Sequence, residues 1–419
     1  MINRQLVPEV QSIQTIEFLS SKRMDLGPNC KLFWMNEVPD ETAKVELYFR
    51  AGAIHASKKG LASIMNGFLL SGTATKSSTQ IQNELNNLGA FYESNAGIEY
   101  SVISIYSLKE NMNAILRIFQ DAINNSIFDE NELEELIADR KQKFKVNNEK
   151  VSTKAQRLFQ TKLFDGTAYA AIVEEEDFEK ITSTDLKSFY EEAYINGLYK
   201  IVVCGAFEEE SIVEMSTILK GWASNEAIKF EANFANLAGN FHDDKKNALQ
   251  TAIRIGRTLF NKNHNDYIDF QILNTILGDY FGSRLMTNIR EDKGYTYGIG
   301  SMVIETNASG YFLIATEVGN EVKDAAIDEI KFEIERLKNE LVPEEELNLV
   351  KNYMLGQLLK SVDGAYAMLD LDVNLDNYQL DSSYLDKVID GIKKFTPARL
   401  QELAKKYLDW NKFTVVTAG

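Results

Sequence analysis

Residues 181–186, ITSTDL, and residues 395–400, FTPARL, share an apolar residue followed by Thr and, four residues after the Thr, by Leu. Two further pairs of segments have the same separation along the chain, namely 201–205 (IVVCG) with 415–419 (VVTAG), and 128–133 (FDENEL) with 342–347 (VPEEEL). Similarity between short segments arises easily by chance, but one offset shared by all these pairs does not. We therefore interpret the chain as an internal duplication, with each copy roughly 200 residues long.

Each copy combines short alternating segments with long amphipathic ones. Residues 43–49 alternate in polarity, as a strand does, whereas 108–125 and 130–150 have helical spacing; 363–380 follow neither pattern. This mixture predicts an α+β fold, with two homologous α/β-sandwich domains, each a mainly antiparallel sheet covered by helices. We expect an N-terminal domain over 1–220, a linker over 221–244, where periodicity is lost, and a C-terminal domain over 245–419.

Composition excludes several classes of protein. The net charge of −17 argues against general nucleic-acid binding and suggests a solvated acidic surface. The first residues of the chain mix polar and apolar types and contain no apolar core of a signal peptide. No run in the chain approaches the ~18 apolar residues of a membrane span. The two cysteines form no CxxC pair, which favours a reducing compartment. We therefore expect a soluble, cytoplasmic protein without nucleic-acid or membrane partners.

Histidines are too few and too scattered for a recognisable catalytic metal site. The chain contains three, His55, His242 and His264, and no H-E-x-x-H, H-x-x-E-H or Cys/His cluster. Catalytic zinc sites are built from imidazoles with a carboxylate or thiolate. A lone ligand role for His55 is less plausible than a hydrogen-bonded loop histidine. The sequence therefore predicts no metal in this chain.

Residues 283–301, SRLMTNIREDKGYTYGIGS, predict a helix end, a glycine turn and the beginning of a strand. This arrangement would hold Arg290 and Tyr297 in a fixed relation. A guanidinium and a phenol so placed are able to grip a peptide carbonyl or stabilise an oxyanion. On spacing alone, a surface ion pair for the arginine and a core position for the tyrosine are the more plausible roles.

The same stretch resembles the second-domain signature of the pitrilysin/insulinase family of zinc metallopeptidases. In that family an Arg, followed seven residues later by a Tyr, reaches toward the zinc site of another domain. Arg290 and Tyr297 have this spacing. The resemblance implies that this pair makes catalytic contacts in trans, to the substrate and to the transition state.

Residues 60–73, GLASIMNGFLLSGT, resemble the helix that carries the family's inverted zinc motif, but the motif itself is lost. The two ligand histidines fall on Ser63 and Gly67, and the catalytic Glu falls on Asn66. An amide does not accept a proton at neutral pH, and Gly has no side chain. The third ligand, a Glu, should fall near Val146, where the nearest acid is Glu149.

The resemblance implies a zinc-less, non-catalytic subunit of a heterodimeric metallopeptidase that degrades unfolded peptides. A homologous partner chain with an intact motif would supply the zinc, and this chain would supply Arg290 and Tyr297. If the partner is not such a homologue, it is a second copy of this chain, and the assembly is a homodimer. The alternative hypothesis is a structural or peptide-binding scaffold of the same fold with no peptidase role. A homodimer with an unrecognised metal site is hard to sustain with three scattered histidines.

Overall fold

The computed structural model describes residues 13, 15–39, 41–230 and 234–419. Its first half contains a six-stranded sheet with the strand order β1-β2-β6-β3-β5-β4. Neighbouring strands are antiparallel except β2 and β6, which run parallel. The strands are β1 (Lys22–Gly27), β2 (Cys30–Met35), β3 (Thr42–Phe49), β4 (Phe91–Ala96), β5 (Ser101–Leu108) and β6 (Leu198–Cys204).

The second half repeats this sheet without a counterpart of β1. Its order is β7-β11-β8-β10-β9, and again a single pair, β7 with β11, runs parallel. The predicted α+β class and internal repeat are therefore confirmed. The strands are β7 (Gly239–Asp243), β8 (Gln250–Leu259), β9 (Ile299–Glu305), β10 (Gly310–Gly319) and β11 (Thr414–Ala418).

Helices cover one face of each sheet, and several begin at the offset found in the sequence. Three helices of the first half begin at Glu130, Val151 and Ser183. Their counterparts in the second half begin at Glu344, Ala365 and Pro397, at the same separation as the paired sequence segments. The helices of the first half are α1 (Leu61–Phe68), α2 (Ser78–Asn87), α3 (Lys109–Asn124), α4 (Glu130–Asn148), α5 (Val151–Leu163), α6 (Glu175–Phe178), α7 (Ser183–Tyr190), a π-helix (Glu191–Ile195) and α8 (Glu209–Leu219). Those of the second half are α9 (Tyr267–Gly278), a π-helix (Met286–Asp292), α10 (Lys323–Asn339), α11 (Glu344–Lys360), α12 (Ala365–Asn377), α13 (Ser383–Lys394) and α14 (Pro397–Tyr407).

The repeated ITSTDL and FTPARL segments are helix N-termini. The side chains of Thr182 and Thr396 cap α7 and α14 by accepting a hydrogen bond from the backbone three residues later. The apolar residue before each Thr and the Leu four residues after it are buried. This combination of a cap and a hydrophobic staple explains why the pattern recurs in both copies.

Residues 363–380, which follow no clear sequence pattern, contain α12. This helix packs on the sheet of the other half. Leu369 and Val373 pack on Phe33 and Val202 of the first sheet. In the same way, the helix α5 of the first half covers the second sheet. Its Phe159 contacts the buried face of that sheet. Each half therefore provides a helix that covers the second face of its neighbour's sheet.

The division of the chain into 1–220, 221–244 and 245–419 remains a prediction. The strand β7 lies inside the range given to the linker and pairs with β11 of the second sheet. Within the described ranges, no helix is long and apolar enough to cross a membrane.

Candidate functional site

Arg290 lies on the π-helix Met286–Asp292, next to residues that anchor this segment in the core. Leu285 and Ile289 are fully buried, whereas the side chain of Arg290 is 34% exposed. Short π-helical segments are costly relative to an α-helix and occur often at functional sites. The sequence indicated a helix here, but nothing in its spacing indicated the wider π turn.

The structure brings Arg290 and Tyr297 together. The chain turns at Gly294, whose φ of +66° is a conformation that favours glycine. The Nε atom of Arg290 donates a hydrogen bond of 3.1 Å to the backbone oxygen of Tyr297. The guanidinium also lies 4.7 Å from the centre of the Phe281 ring. The Nη1 atom of Arg290 also lies 3.7 Å from a carboxylate oxygen of Glu291, with which it forms an ion pair. These contacts hold the guanidinium against the turn.

The side chain of Tyr297 does not belong to the core, because 94% of it is exposed. Phe281, on the other side of the guanidinium, is 64% exposed. Exposed aromatic side chains beside an arginine are typical of protein–protein contacts. The strand predicted from Tyr295 begins at Ile299, so Tyr297 lies in the connecting loop.

Asn66, which the resemblance matches to the general base, is buried and hydrogen-bonded. It is 7% exposed and its Nδ2 donates a 2.8 Å hydrogen bond to the hydroxyl of Ser94 on β4. The hydroxyl of Tyr194 contacts its Oδ1 at 3.5 Å. The amide therefore ties α1 to the edge strand β4 and to the π-helix Glu191–Ile195. Ser63 is half-buried on the same helix.

Gly67, at the position of the second ligand, is exposed and lies beneath a guanidinium. A Cβ atom added to Gly67 would lie 2.9 Å from Nη2 of Arg140 and 3.3 Å from a methyl group of Leu136, both on α4. A larger side chain at residue 67 would therefore displace Arg140. Sequence reasoning did not single out Arg140, since neither its type nor its spacing relates it to α1.

Val146 lies further along α4 and is 60% exposed. The nearest acid, Glu149, forms an ion pair of 2.7 Å with Lys245, which lowers the pKa of Glu149. The side chains at the four motif positions therefore offer no imidazole or carboxylate, and the cation beside Gly67 would repel a metal ion. These residues do not fit zinc. In the described chain, no three His, Cys, Asp or Glu residues are grouped as metal ligands.

The three histidines lie apart and have separate surroundings. His55 is half-buried, and burial together with Arg50 lowers its pKa. His242 is hydrogen-bonded to Thr417 and Asp244. His264 stacks on Phe260 with the ring centres 4.0 Å apart. These surroundings are structural and do not indicate catalysis.

A cavity of about 370 Å³ lies between the two halves, beside α5 and the β4–β5 connection. Glu99 in that connection accepts hydrogen bonds of 2.6 Å from the hydroxyl of Tyr169 and from Nδ2 of Asn307. Asn307 belongs to the second half, so this carboxylate joins the halves. The cavity depends on residues from distant segments, and no sequence pattern predicted it.

The strand β4 forms an edge of the first sheet, and β5 is its hydrogen-bonded neighbour. Alternate side chains, including Tyr92 and Ser94, face the helical layer, while Phe91 is exposed. Among the described residues, no strand pairs with the outer edge of β4. Such an edge is able to accept an extended peptide as an added strand.

Comparison with known proteins identifies the fold. The family described as Insulinase (Peptidase family M16) matches residues 33–177, and the Peptidase M16 inactive domain matches residues 180–354. The chain belongs to peptidase family M16. Within M16 it is similar to an uncharacterized zinc protease YmxG of Bacillus subtilis, with 21% identity over 92% of this chain and 95% of the relative.

Two further similar proteins are described as a non-peptidase homolog and as an inactive domain. The non-peptidase homolog YmxG of Helicobacter pylori is 21% identical over 88% of this chain and 87% of its own length. The crystal structure of a peptidase M16 inactive domain from Pseudomonas fluorescens has a TM-score of 0.83 and 22% identity. The superposition covers 96% of this chain and 98% of that one. This chain is an M16-like protein whose side chains at Ser63, Asn66, Gly67 and Val146 offer no imidazole or carboxylate as a zinc ligand.

Proposed function

We propose that this chain is the non-catalytic subunit of a heterodimeric, cytoplasmic peptidase that degrades unfolded peptides. A homologous M16 chain with an intact H-x-x-E-H motif would supply the zinc ion and the general base. This chain would supply Arg290 and Tyr297 to the site of its partner. The observation that carries the proposal is the fixed Arg290–Tyr297 turn with its almost fully exposed phenol.

The chemistry of the two side chains supports these roles. A guanidinium held by the Tyr297 carbonyl keeps further N–H donors for the backbone of a bound peptide. The Tyr297 hydroxyl is a donor for the oxyanion that forms when a peptide carbonyl is attacked. Because Ser63, Asn66 and Gly67 offer no ligand set, such a pair has a catalytic use only beside another chain's metal.

The aromatic surroundings favour a protein partner over free solvent. Tyr297 and Phe281 are large, exposed and close to one arginine, and these residue types are enriched where proteins associate. A second copy of this chain would bring no zinc ligands. A heterodimer therefore explains the presence of Arg290 and Tyr297 better than a homodimer does.

The test mixes this chain with the H-x-x-E-H homologue from the same source and measures peptide turnover. We expect Arg290→Ala and Tyr297→Phe to lower kcat roughly hundredfold while association is retained, because one oxyanion or carbonyl donor is lost. Arg117→Ala is the matched control, since Arg117 is an exposed arginine that pairs with Glu214 in the first half.

Two results would contradict the proposal. Wild-type turnover in mixtures that contain Arg290→Ala or Tyr297→Phe would remove the assigned roles. A partner whose activity is indifferent to this chain would favour the scaffold hypothesis.

A further inference from the structure

A cavity of about 490 Å³ lies in the helical layer of the second half, between α9, α11 and α13. Its lining includes neither Arg290 nor any of the four motif positions of the first half. Small-molecule sites commonly have this size and a largely apolar lining. Apolar and aromatic side chains form much of the wall here, among them Ile268, Met354, Leu358, Val388 and Tyr353.

One carboxylate on this cavity lacks a partner. Asp279 directly follows the last residue of α9, and in the described chain no hydrogen bond or ion pair engages its side chain. Burial raises the pKa of this carboxyl, and no nearby cation opposes the effect. The C-terminal end of a helix is the negative end of its dipole, so an aspartate there is unfavourable. A bound cation would be attracted both by the carboxylate and by the helix end.

The cation on the cavity lining already has partners. Lys262 forms an ion pair of 3.1 Å with Glu305 and a hydrogen bond with Asn374. Its Nζ also lies 4.9 Å from the centre of the Tyr378 ring. The charge of Lys262 is therefore compensated, and Asp279 remains as the one uncompensated charge among the described residues of the lining.

A buried hydroxyl adds a second polar group without a partner. The hydroxyl of Tyr384, on α13, is buried and has no hydrogen bond within the described ranges. Buried polar atoms are normally hydrogen-bonded, so this group is suited to a ligand that enters the cavity. Nearby on α9, Nε2 of Gln271 donates a 2.8 Å hydrogen bond to the hydroxyl of Tyr267, and its Oε1 remains an acceptor. Oxygen acceptors beside tyrosine rings are suited to an ammonium group.

We infer that this cavity binds a small organic amine in its protonated form. The ammonium group would lie at Asp279, and the apolar or aromatic body would lie between α9, α11 and α13. A single uncompensated carboxylate matches one positive charge, and the apolar wall matches a hydrocarbon body. This inference is independent of the roles proposed for Arg290 and Tyr297.

The test titrates three ligands with a phenylbutyl skeleton into the purified chain, and NMR of the ligand reports binding. They are the cation 4-phenylbutylamine, the neutral 4-phenylbutan-1-ol and the anion 4-phenylbutanoate. We expect the amine to bind roughly tenfold more tightly than the alcohol, because only the amine forms a charge-assisted hydrogen bond with Asp279. The anion should bind most weakly. Tightest binding of the anion would assign the cavity to Lys262 and overturn the inference, as would equal binding of all three or no binding.

Two variants locate the amine. Asp279→Asn keeps the shape of the side chain and should lower the affinity for the amine to that for the alcohol. Gln357→Trp, at an exposed position of the lining, should weaken the binding of both because the indole fills the cavity. Asp328→Asn is the matched control, since Asp328 is an exposed aspartate on α10 and does not line the cavity. An unchanged preference for the amine in a folded Asp279→Asn variant, or unchanged binding in Gln357→Trp, would place the ligand elsewhere and contradict the assignment.

Discussion

At the scale of single residues, the positions that resemble the zinc motif hold side chains with structural contacts. Asn66 ties α1 to β4, and Arg140 occupies the space above Gly67. Residues without a structural role at these positions would lack such packing and hydrogen-bond contacts. Asn66 has hydrogen bonds of its own, and a side chain larger than glycine at residue 67 would have to displace the guanidinium of Arg140.

Restoring the three motif residues therefore should not restore a metal site. In the triple variant Ser63→His, Asn66→Glu and Gly67→His, the imidazole at residue 67 collides with Arg140, and the new carboxylate loses the Ser94 contact. We expect zinc content far below one equivalent and a loss of roughly 1–3 kcal/mol in the free energy of unfolding. Elemental analysis and denaturant titration provide the measurements, and stoichiometric tight zinc binding would contradict this view.

At the scale of secondary-structure elements, the second half depends on a charged junction between α9 and α14. Asp266 precedes α9 and is buried. Its carboxylate accepts 2.7 Å hydrogen bonds from Arg399 and Lys406, as well as one from Tyr407. Burial by itself would raise the pKa of Asp266, but these three donors outweigh it and lower the pKa to about 2.

This junction gives stability a defined dependence on pH. Because the pKa of Asp266 is lower in the folded than in the unfolded chain, its contribution is fully present above about pH 4 and is lost as the pH falls toward 2. The contribution amounts to about 2 kcal/mol. In Asp266→Asn, the free energy of unfolding should be lower at pH 7 and should fall less steeply between pH 4 and pH 2. Parallel acid titrations monitored by circular dichroism would reveal the difference, and identical slopes would refute it.

At the scale of the whole molecule, the two copies are joined by the exchange of α5 and α12. Phe159 of α5 is buried against the second sheet, and Leu369 of α12 is buried against the first. Neither sheet is covered on both faces by its own half. The carboxylate of Glu99, bound by Asn307, adds a polar link between the halves.

We expect the two halves to unfold together for this reason. Phe159→Ala should lower the free energy of unfolding by roughly 3–5 kcal/mol, since it opens a cavity in the core between α5 and the second sheet. Calorimetry of the wild-type chain and the variant should show one transition in each. Val146→Ala, at an exposed position, is the control and should change stability little. Two separated transitions in the wild-type chain would mean that the exchanged helices do not couple the halves.

The sequence by itself determined the features that depend on local chemistry and on repetition. The constant offset between paired segments predicted the duplication, because each copy needs the same helix cap and staple at Thr182 and Thr396. The loss of imidazoles at Ser63 and Gly67 excluded a zinc site, since ligand identity can be read residue by residue. The helix end, glycine turn and strand predicted over residues 283–301 indicated that Arg290 lies near the chain at Tyr297, where its Nε donates a hydrogen bond to the backbone oxygen.

Only the tertiary structure decided which distant segments meet. The exchange of α5 and α12 has no sequence signature, because an apolar helix face packs equally well on either sheet. Arg140 and Gly67 lie far apart along the chain, and only the packing of α4 on α1 brings the guanidinium to the inactive motif. The exposure of Tyr297 likewise depends on the loop that precedes β9. Local pattern specifies an element and its chemistry, but long-range packing specifies which elements build a site.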